Sequence, residues 1–216
     1  MDNQKVISNT IEFVKDKLKG DSSGHDWWHI YRVLTLSKRI QKIEGGNLFV
    51  IELAALLHDV ADWKFNTNEN EGIEVVSNWL KSQHVDSTAI MDVLHIIQNI
   101  SYKGESEKNK MISIEGLIVQ DADRIDAMGA IGIARTFAFG GYKGNEMHNP
   151  TIKPIAQMKF DQYKKSNGTT INHFYEKLLL LKDRMNTETA KKIADSRHPF
   201  MQDYLDRFYK EWEGLE

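Results

Sequence analysis

The sequence predicts an all-α protein that forms one domain over residues 1–216. Only three prolines occur in the 216 residues, and proline is the residue that the interior of a helix tolerates least. Apolar residues recur at spacings of three and four, as they do on one face of a helix, rather than alternating as in a half-buried strand. Because 41% of the residues are hydrophobic, a chain of this length can bury a substantial core.

Apolar stripes and helix-capping residues predict where the helices lie along the chain. The first helix carries an apolar stripe that ends at Gly20, and the turn DSSGHDWW supplies capping residues for a second helix that runs to Gly45. The third helix holds the stretch LAALLHDVADWKF at residues 53–65. Further helices are predicted at 69–82, 86–99, 113–128 and 131–139, with two more amphipathic helices between Thr170 and Trp212.

The segment FGGYKGNEMHNPTIKP, residues 139–154, combines glycine, proline and cations. This composition predicts a long loop of the kind that covers a functional site.

Composition excludes several classes of function. The formal net charge of -3 gives no large basic field, so nucleic acid is not expected as a partner. The N-terminus MDNQKVISNT lacks a signal pattern, no apolar run approaches the length of a membrane span, and there is no cysteine. We expect a cytoplasmic protein with a small-molecule partner and no membrane partner, and a homodimer is left open.

Histidine and aspartate residues in apolar helical segments are the candidates for a functional site. His58, Asp59 and Asp62 stand in an apolar run, where an uncompensated buried carboxylate is costly and needs a cationic partner. A second acidic cluster, VQDADRIDAMG, contains Asp123, and His29 follows the polar turn at the start of the second helix. Two imidazoles and two carboxylates would surround one borderline divalent cation and leave positions open for water and substrate.

The ordered set His29, His58-Asp59 and Asp123 resembles the H…HD…D signature of the HD-domain metal-dependent phosphohydrolases. Longer stretches are similar to a small bacterial subgroup that includes nucleoside triphosphate pyrophosphohydrolases of the YpgQ type: GHDWWHIYRV, ALLHDVADWKF, DADRIDAMGAIGIARTFAFGG and HFYEKLLLLKDRMNTETA. The resemblance implies a single HD-domain helical bundle with a central metal site. Its signature core covers residues 25–130, and the C-terminal helices complete the pocket.

The same resemblance implies that these four residues hold one divalent transition metal ion, with manganese favoured and cobalt, nickel, iron or zinc as alternatives. Two rivals to this ligand set are present. His25-Asp26 is also an HD dipeptide, but Asp26 is better explained as a helix cap. Asp121 competes with Asp123 for the last position, and the family pattern, which places the ligand in the ADR triplet, favours Asp123.

Asp62 lies one helical turn beyond His58, and in related HD hydrolases an acid at this position is implicated in orienting or deprotonating the attacking water. The alternative is an ordinary salt-bridge acid. Five cations are candidates for substrate phosphate, and each could instead be an ion-pair partner or a solvated surface charge. They are Lys64, Arg124, Arg135, Lys143 and Lys177. Arg135 is the most suggestive, because a guanidinium in an apolar-rich helix requires an anion nearby.

These residues predict a divalent-metal hydrolase of nucleotide phosphates, in which attack at the α-phosphorus of a nucleoside triphosphate releases pyrophosphate. Two alternatives use the same centre: a phosphomonoesterase and a cyclic-nucleotide phosphodiesterase. A third alternative is a nucleotide-sensing module that keeps the metal without turnover.

Overall fold

The structure is a computed structural model that describes residues 2–20, 24, 26–60, 69–100, 110–155 and 168–215. These residues form nine α-helices and one 3-10 helix, and no strand occurs among them. The all-α prediction is therefore confirmed. None of these helices is long and apolar enough to cross a membrane. The elements are α1 (Asn3–Lys17), α2 (Trp27–Glu44), α3 (Leu48–Leu57), α4 (Glu69–Ser82), α5 (Ser87–Ile100), α6 (Ile114–Asp126), α7 (Gly129–Lys143), α8 (Thr170–Glu176), the 3-10 helix (Leu178–Arg184) and α9 (Glu188–Trp212).

Contacts along the chain divide the molecule into two units. The first comprises Met1–Tyr102 and Lys108–Ala122, and the second comprises Lys103–Glu107 and Asp123–Glu216. The boundary falls within α6. That residues 1–216 form one domain stays a prediction.

The apolar helix α3 is the centre of the first unit. Seven of its ten residues are buried, and the helix packs against α1, α2 and α5. A helix that is apolar on every side is stable only when other elements surround it. Its side chains therefore hold its C-terminal end firmly in place, and truncating one of them, such as Leu53, would destabilise the fold by about 2–5 kcal/mol.

Side-chain caps determine where α2 and α3 begin. The Asp26 carboxylate accepts a hydrogen bond of 3.0 Å from the backbone N–H of His29, which confirms the interpretation of Asp26 as a helix cap. The Asn47 side chain does the same for α3 by accepting from the N–H of Phe49 at 3.1 Å. α2 ends before Gly45, whose φ of 83° suits a residue without a Cβ.

The helix α7 is longer than the sequence predicts, because it continues through Gly140 and Gly141 to Lys143. The sequence predicts a loop that already includes both glycines. In the structure Gly140 allows close packing instead, since a Cβ there would collide with the side chain of Thr170. The helix ends at Gly144, in the left-handed conformation with φ of 71°.

The C-terminal region has three elements where two helices were predicted. The short helix α8 ends at Glu176, and the φ of -143° at the next residue, Lys177, departs from helical geometry. The seven residues after Lys177 form the 3-10 helix. Spacings of three occur in both helix types, so the apolar pattern does not distinguish them. The long helix α9 contains Pro199 and continues to Trp212.

Candidate metal centre

His29 is placed by the first turn of α2. It is fully buried, and the hydrogen bond from its N–H to Asp26 ties its backbone to the helix cap. The position of the imidazole therefore depends on the Asp26 cap and the first turn of α2.

His58 and Asp59 follow the end of α3. His58 is the C-cap residue of that helix, and Asp59 lies in the turn beyond it. The expectation that both lie within a helix is corrected here, because α3 ends at Leu57. His58 nevertheless keeps helical backbone angles, with φ of -60° and ψ of -39°, so the direction of its side chain continues that of the last turn of α3.

The tautomer of His58 follows from its hydrogen bond. Its Nδ1 lies 2.9 Å from the backbone oxygen of Ala55, and a carbonyl oxygen can only accept, so Nδ1 carries the proton. In the neutral imidazole, Nε2 then presents a lone pair. This arrangement, in which one ring nitrogen is held by a backbone carbonyl, is typical of metal-binding histidines.

The donor atoms of His29, His58 and Asp59 lie at separations that suit a shared ion. The two Nε2 atoms are 3.2 Å apart, and each lies 3.4 Å from an oxygen of Asp59. Two donors that bind one divalent ion at about 2.0–2.1 Å with tetrahedral angles are themselves about 3.4 Å apart. Among the described residues this is the only group of three or more such side chains whose donor atoms all lie within 4.8 Å of one another.

Burial of the Asp59 carboxylate favours a bound cation in the cluster. His58 and Asp59 are each 5% exposed, so the Asp59 carboxylate is largely removed from water. Neutral imidazoles alone do not balance its charge, whereas a divalent cation does. The donor set of two imidazole nitrogens and a carboxylate also suits borderline metals. The three residues therefore fit the divalent transition metal ion that the sequence predicts.

Both candidates for the fourth ligand lie on α6. Asp121 is fully buried and belongs to the first unit. Asp123 is half-buried and is the first α6 residue of the second unit. The choice of Asp123 stays a prediction.

Two of the candidate phosphate-binding arginines have protein partners in the second unit. An Arg124 guanidinium nitrogen donates to the backbone oxygen of Arg184. Arg135 pairs with Asp126 at 2.9 Å, and Asp126 is only 1% exposed. The Asp126 carboxylate is therefore an anion of the kind that the sequence predicts beside the Arg135 guanidinium. A contact between Arg135 and substrate phosphate stays a prediction.

Two of the three candidate lysines lie among the described residues, and their surroundings differ. Lys143 is exposed, and its ammonium lies 5.7 Å from the centre of the Phe139 ring. Lys177 is half-buried at the end of α8. Asp62, Lys64 and His25 lie outside the described residues.

One titratable residue was not selected from the sequence. Burial, together with the positive charge of Lys177, lowers the pKa of His173 from 6.5 to about 3. His173 precedes Lys177 by four residues, so the spacing in HFYEK was a usable signal.

Comparisons with known proteins identify the family of this chain. The family model described as HD domain matches residues 27–128. The Bacillus subtilis protein YpgQ, which is named as uncharacterized, is 38% identical over 205 residues, 94% of this chain and 92% of that protein.

Two solved structures match nearly the whole chain. The HD-superfamily hydrolase from Bacillus thuringiensis is 49% identical with a TM-score of 0.76, covering 98% of each chain. The crystal structure of Bacillus subtilis YpgQ in complex with ADP is 35% identical with a TM-score of 0.77, covering 97% of this chain and 100% of that chain. The chain therefore belongs to the HD domain family and is a metal-dependent phosphohydrolase of the HD superfamily.

Proposed function

We propose that the protein is a nucleoside triphosphate pyrophosphohydrolase that releases a ribo- or deoxyribonucleoside monophosphate and pyrophosphate. The observation that carries the proposal is the buried cluster of His29, His58 and Asp59, whose donor atoms all lie within 4.8 Å of one another. The choice of a nucleotide is supported by the relative YpgQ, which was crystallised with ADP.

In this proposal one divalent transition metal ion, manganese first, is held by His29, His58 and Asp59, with Asp123 as the fourth ligand. When bound, such an ion supplies Lewis-acid chemistry, because it polarises a phosphoryl oxygen and lowers the pKa of water. Imidazole and carboxylate ligands are compatible with manganese, iron, cobalt, nickel and zinc, so the metal is a matter for experiment.

Asp62 is proposed to accept the proton of the attacking water. The water oxygen forms a bond to the α-phosphorus, and the bond from that phosphorus to the bridging oxygen breaks as pyrophosphate leaves. Developing negative charge on the phosphate chain is stabilised by cations held in fixed positions. The residues proposed for this task are Lys64, Arg124, Arg135, Lys143 and Lys177. The proposal includes a cytoplasmic location and requires neither nucleic acid nor a membrane as a partner.

The test is a product analysis with metal-stripped protein. Nucleoside mono-, di- and triphosphates and cyclic nucleotides are each incubated after addition of Mn²⁺, Co²⁺, Ni²⁺, Mg²⁺ or Zn²⁺. We expect nucleoside monophosphate and pyrophosphate from a triphosphate. Orthophosphate alone would indicate a phosphomonoesterase, a ring-opened monoester would indicate a cyclic-nucleotide phosphodiesterase, and binding without any product would indicate a sensing module. Each of these three outcomes contradicts the proposal.

A further inference from the structure

The last turn of α6 carries Asp123, the residue proposed above as the fourth metal ligand. The helix ends at Asp126, and only Ala127 and Met128 separate it from the start of α7. The final carbonyl groups of a helix have no partner within the helix. A terminal turn therefore keeps its shape where other groups bind these carbonyls, and it frays where none do.

Arg197 of α9 binds the end of α6. Its guanidinium nitrogen Nη1 donates to the backbone oxygen of Ile125 at 2.6 Å and to that of Met128 at 3.4 Å. The Ile125 oxygen also accepts the N–H of Met128 at 3.0 Å. A cation at the C-terminus of a helix stabilises the negative end of the helix dipole in addition. Arg197 thus holds the last turn of α6 by hydrogen bonds and by charge.

The path of the chain after α6 gives this arginine its place. Gly129 has φ of 71°, a left-handed conformation that favours a residue without a Cβ. A Cβ at Gly129 would lie 3.2 Å from the Cγ and Cδ atoms of Arg197, so the stem of the arginine packs on the glycine backbone. Ile125 and Met128 are fully buried, and Arg197 is half-buried. The guanidinium therefore has little freedom to leave the helix end.

Asp123 and Ile125 share one helical turn, because a turn comprises 3.6 residues. If the turn unwinds at Ile125, the direction of the Asp123 side chain changes with it. A metal ligand that adopts the binding geometry for only a fraction of the time lowers the apparent metal affinity by that fraction. Asp123, Ile125 and Arg197 all lie in the second unit, so this effect is local to that unit.

We propose that Arg197 is a positioning residue of the metal centre, which holds the last turn of α6 so that Asp123 keeps the geometry needed to bind the ion. The inference rests on the proposed function for the role of Asp123 as a ligand. It requires no contact between Arg197 and the metal or the substrate, unlike the phosphate-binding role proposed for Arg124 and Arg135.

Mn²⁺ binding to the full chain, stripped of metal beforehand, tests this role without turnover. Isothermal titration calorimetry compares the wild type with Arg197→Met, Asp123→Ala and the double variant, after circular dichroism has shown that each is folded. Methionine retains an apolar stem but removes the donors and the charge. Outer groups that orient a metal ligand typically contribute about 10–100-fold in affinity, so we expect Arg197→Met to bind Mn²⁺ about 10-fold or more weakly than the wild type.

The double variant shows whether Arg197 acts through Asp123. Two residues that act as a unit have effects that do not add in a double-mutant cycle. If Arg197 positions Asp123, its substitution has nothing left to disturb once Asp123 is alanine. We therefore expect the double variant and Asp123→Ala to have Mn²⁺ affinities that agree within about 3-fold.

Leu205→Ala is the matched control for a general loss of stability. Leu205 lies on α9 about two turns beyond Arg197 and is 3% exposed, so its truncation destabilises the fold by leaving a cavity. We expect its Mn²⁺ affinity to equal that of the wild type. If Arg197→Met is unfolded, Arg197→Lys takes its place in the cycle. It keeps the charge on a shorter side chain, and we expect it to lower the affinity about 3-fold or more.

The outcomes separate this inference from the proposed function. Unchanged Mn²⁺ affinity in the Arg197 variant, when Asp123→Ala binds weakly, would overturn the inference and leave Asp123 as a ligand. An equal weakening in Leu205→Ala, or an undiminished effect of the Arg197 substitution in the Asp123→Ala background, would overturn it as well. If Asp123→Ala binds Mn²⁺ as tightly as the wild type, the inference and the proposed fourth ligand are both wrong. A wild-type protein that forms no pyrophosphate, although Arg197 and Asp123 are coupled in Mn²⁺ binding, would contradict the proposed function alone.

Discussion

Acid should destabilise this protein through His173. The native imidazole has a pKa of about 3 and the ordinary value is 6.5, so between these two values the unfolded chain binds a proton that the folded chain does not. The stability that depends on the neutral imidazole is complete above pH 6.5 and is lost as the pH falls toward 3.

The size of the effect follows from the two pKa values. At pH 7 the unfolded imidazole is mostly neutral, and the two states differ little in proton binding. At pH 4.5 the unfolded imidazole is protonated and the native one is not. Since each pH unit between the two pKa values changes the free energy of unfolding by about 1.4 kcal/mol, lowering the pH from 7 to 4.5 removes about 2.5 kcal/mol.

Urea denaturation at pH 7 and pH 4.5 measures this loss in the wild type, His173→Gln and His95→Gln. Glutamine does not titrate, so the loss between the two pH values should be about 2.5 kcal/mol smaller in His173→Gln than in the wild type. Carboxylates that titrate over the same range contribute equally to both proteins. His95 is exposed on α5, and its variant should behave like the wild type. Equal losses in all three proteins would show that His173 is not kept neutral in the folded protein at pH 4.5.

Three further substitutions test the site and the packing. Asp62→Asn should retain the metal and slow turnover about 100-fold or more, as expected for a lost general base, and near-normal turnover would make Asp62 a structural acid. Arg135→Ala should lower the free energy of unfolding by about 3 kcal/mol or more, because it leaves the buried Asp126 carboxylate without this partner; unchanged stability in urea would contradict that role. Gly140→Ala should cost about 1–3 kcal/mol through its collision with Thr170, and a thermal melt equal to wild type would show that the contact is not tight.

Helix positions were largely predictable because apolar spacing and capping residues act locally. Asp26 could be identified as a cap from its place before an apolar run, and Gly45 from its place after one. Gly140 could not be interpreted correctly in this way, because its role is set by Thr170, which is distant in sequence. In a sequence, a glycine that permits close packing cannot be distinguished from a glycine that ends a helix unless the residue packed against it is known.

The metal centre was more predictable than the phosphate-binding residues. His29, His58 and Asp59 were grouped through the resemblance to the ordered H…HD…D signature, and the structure brings their donor atoms within 4.8 Å of one another. The cations depend on which neighbours the fold supplies. Arg135 meets Asp126 at 2.9 Å, and only the structure reveals how strongly burial acts on His173.

The central claim is that His29, His58 and Asp59 hold a divalent ion. The most direct measurement is the metal content of purified protein, after incubation with Mn²⁺ and desalting, for the wild type, His58→Ala and His25→Ala. We expect one ion per chain in the wild type and in His25→Ala, and almost none in His58→Ala, with all three proteins folded by circular dichroism. A full complement of metal in folded His58→Ala, or its loss in His25→Ala alone, would mean that His58 is not a metal ligand.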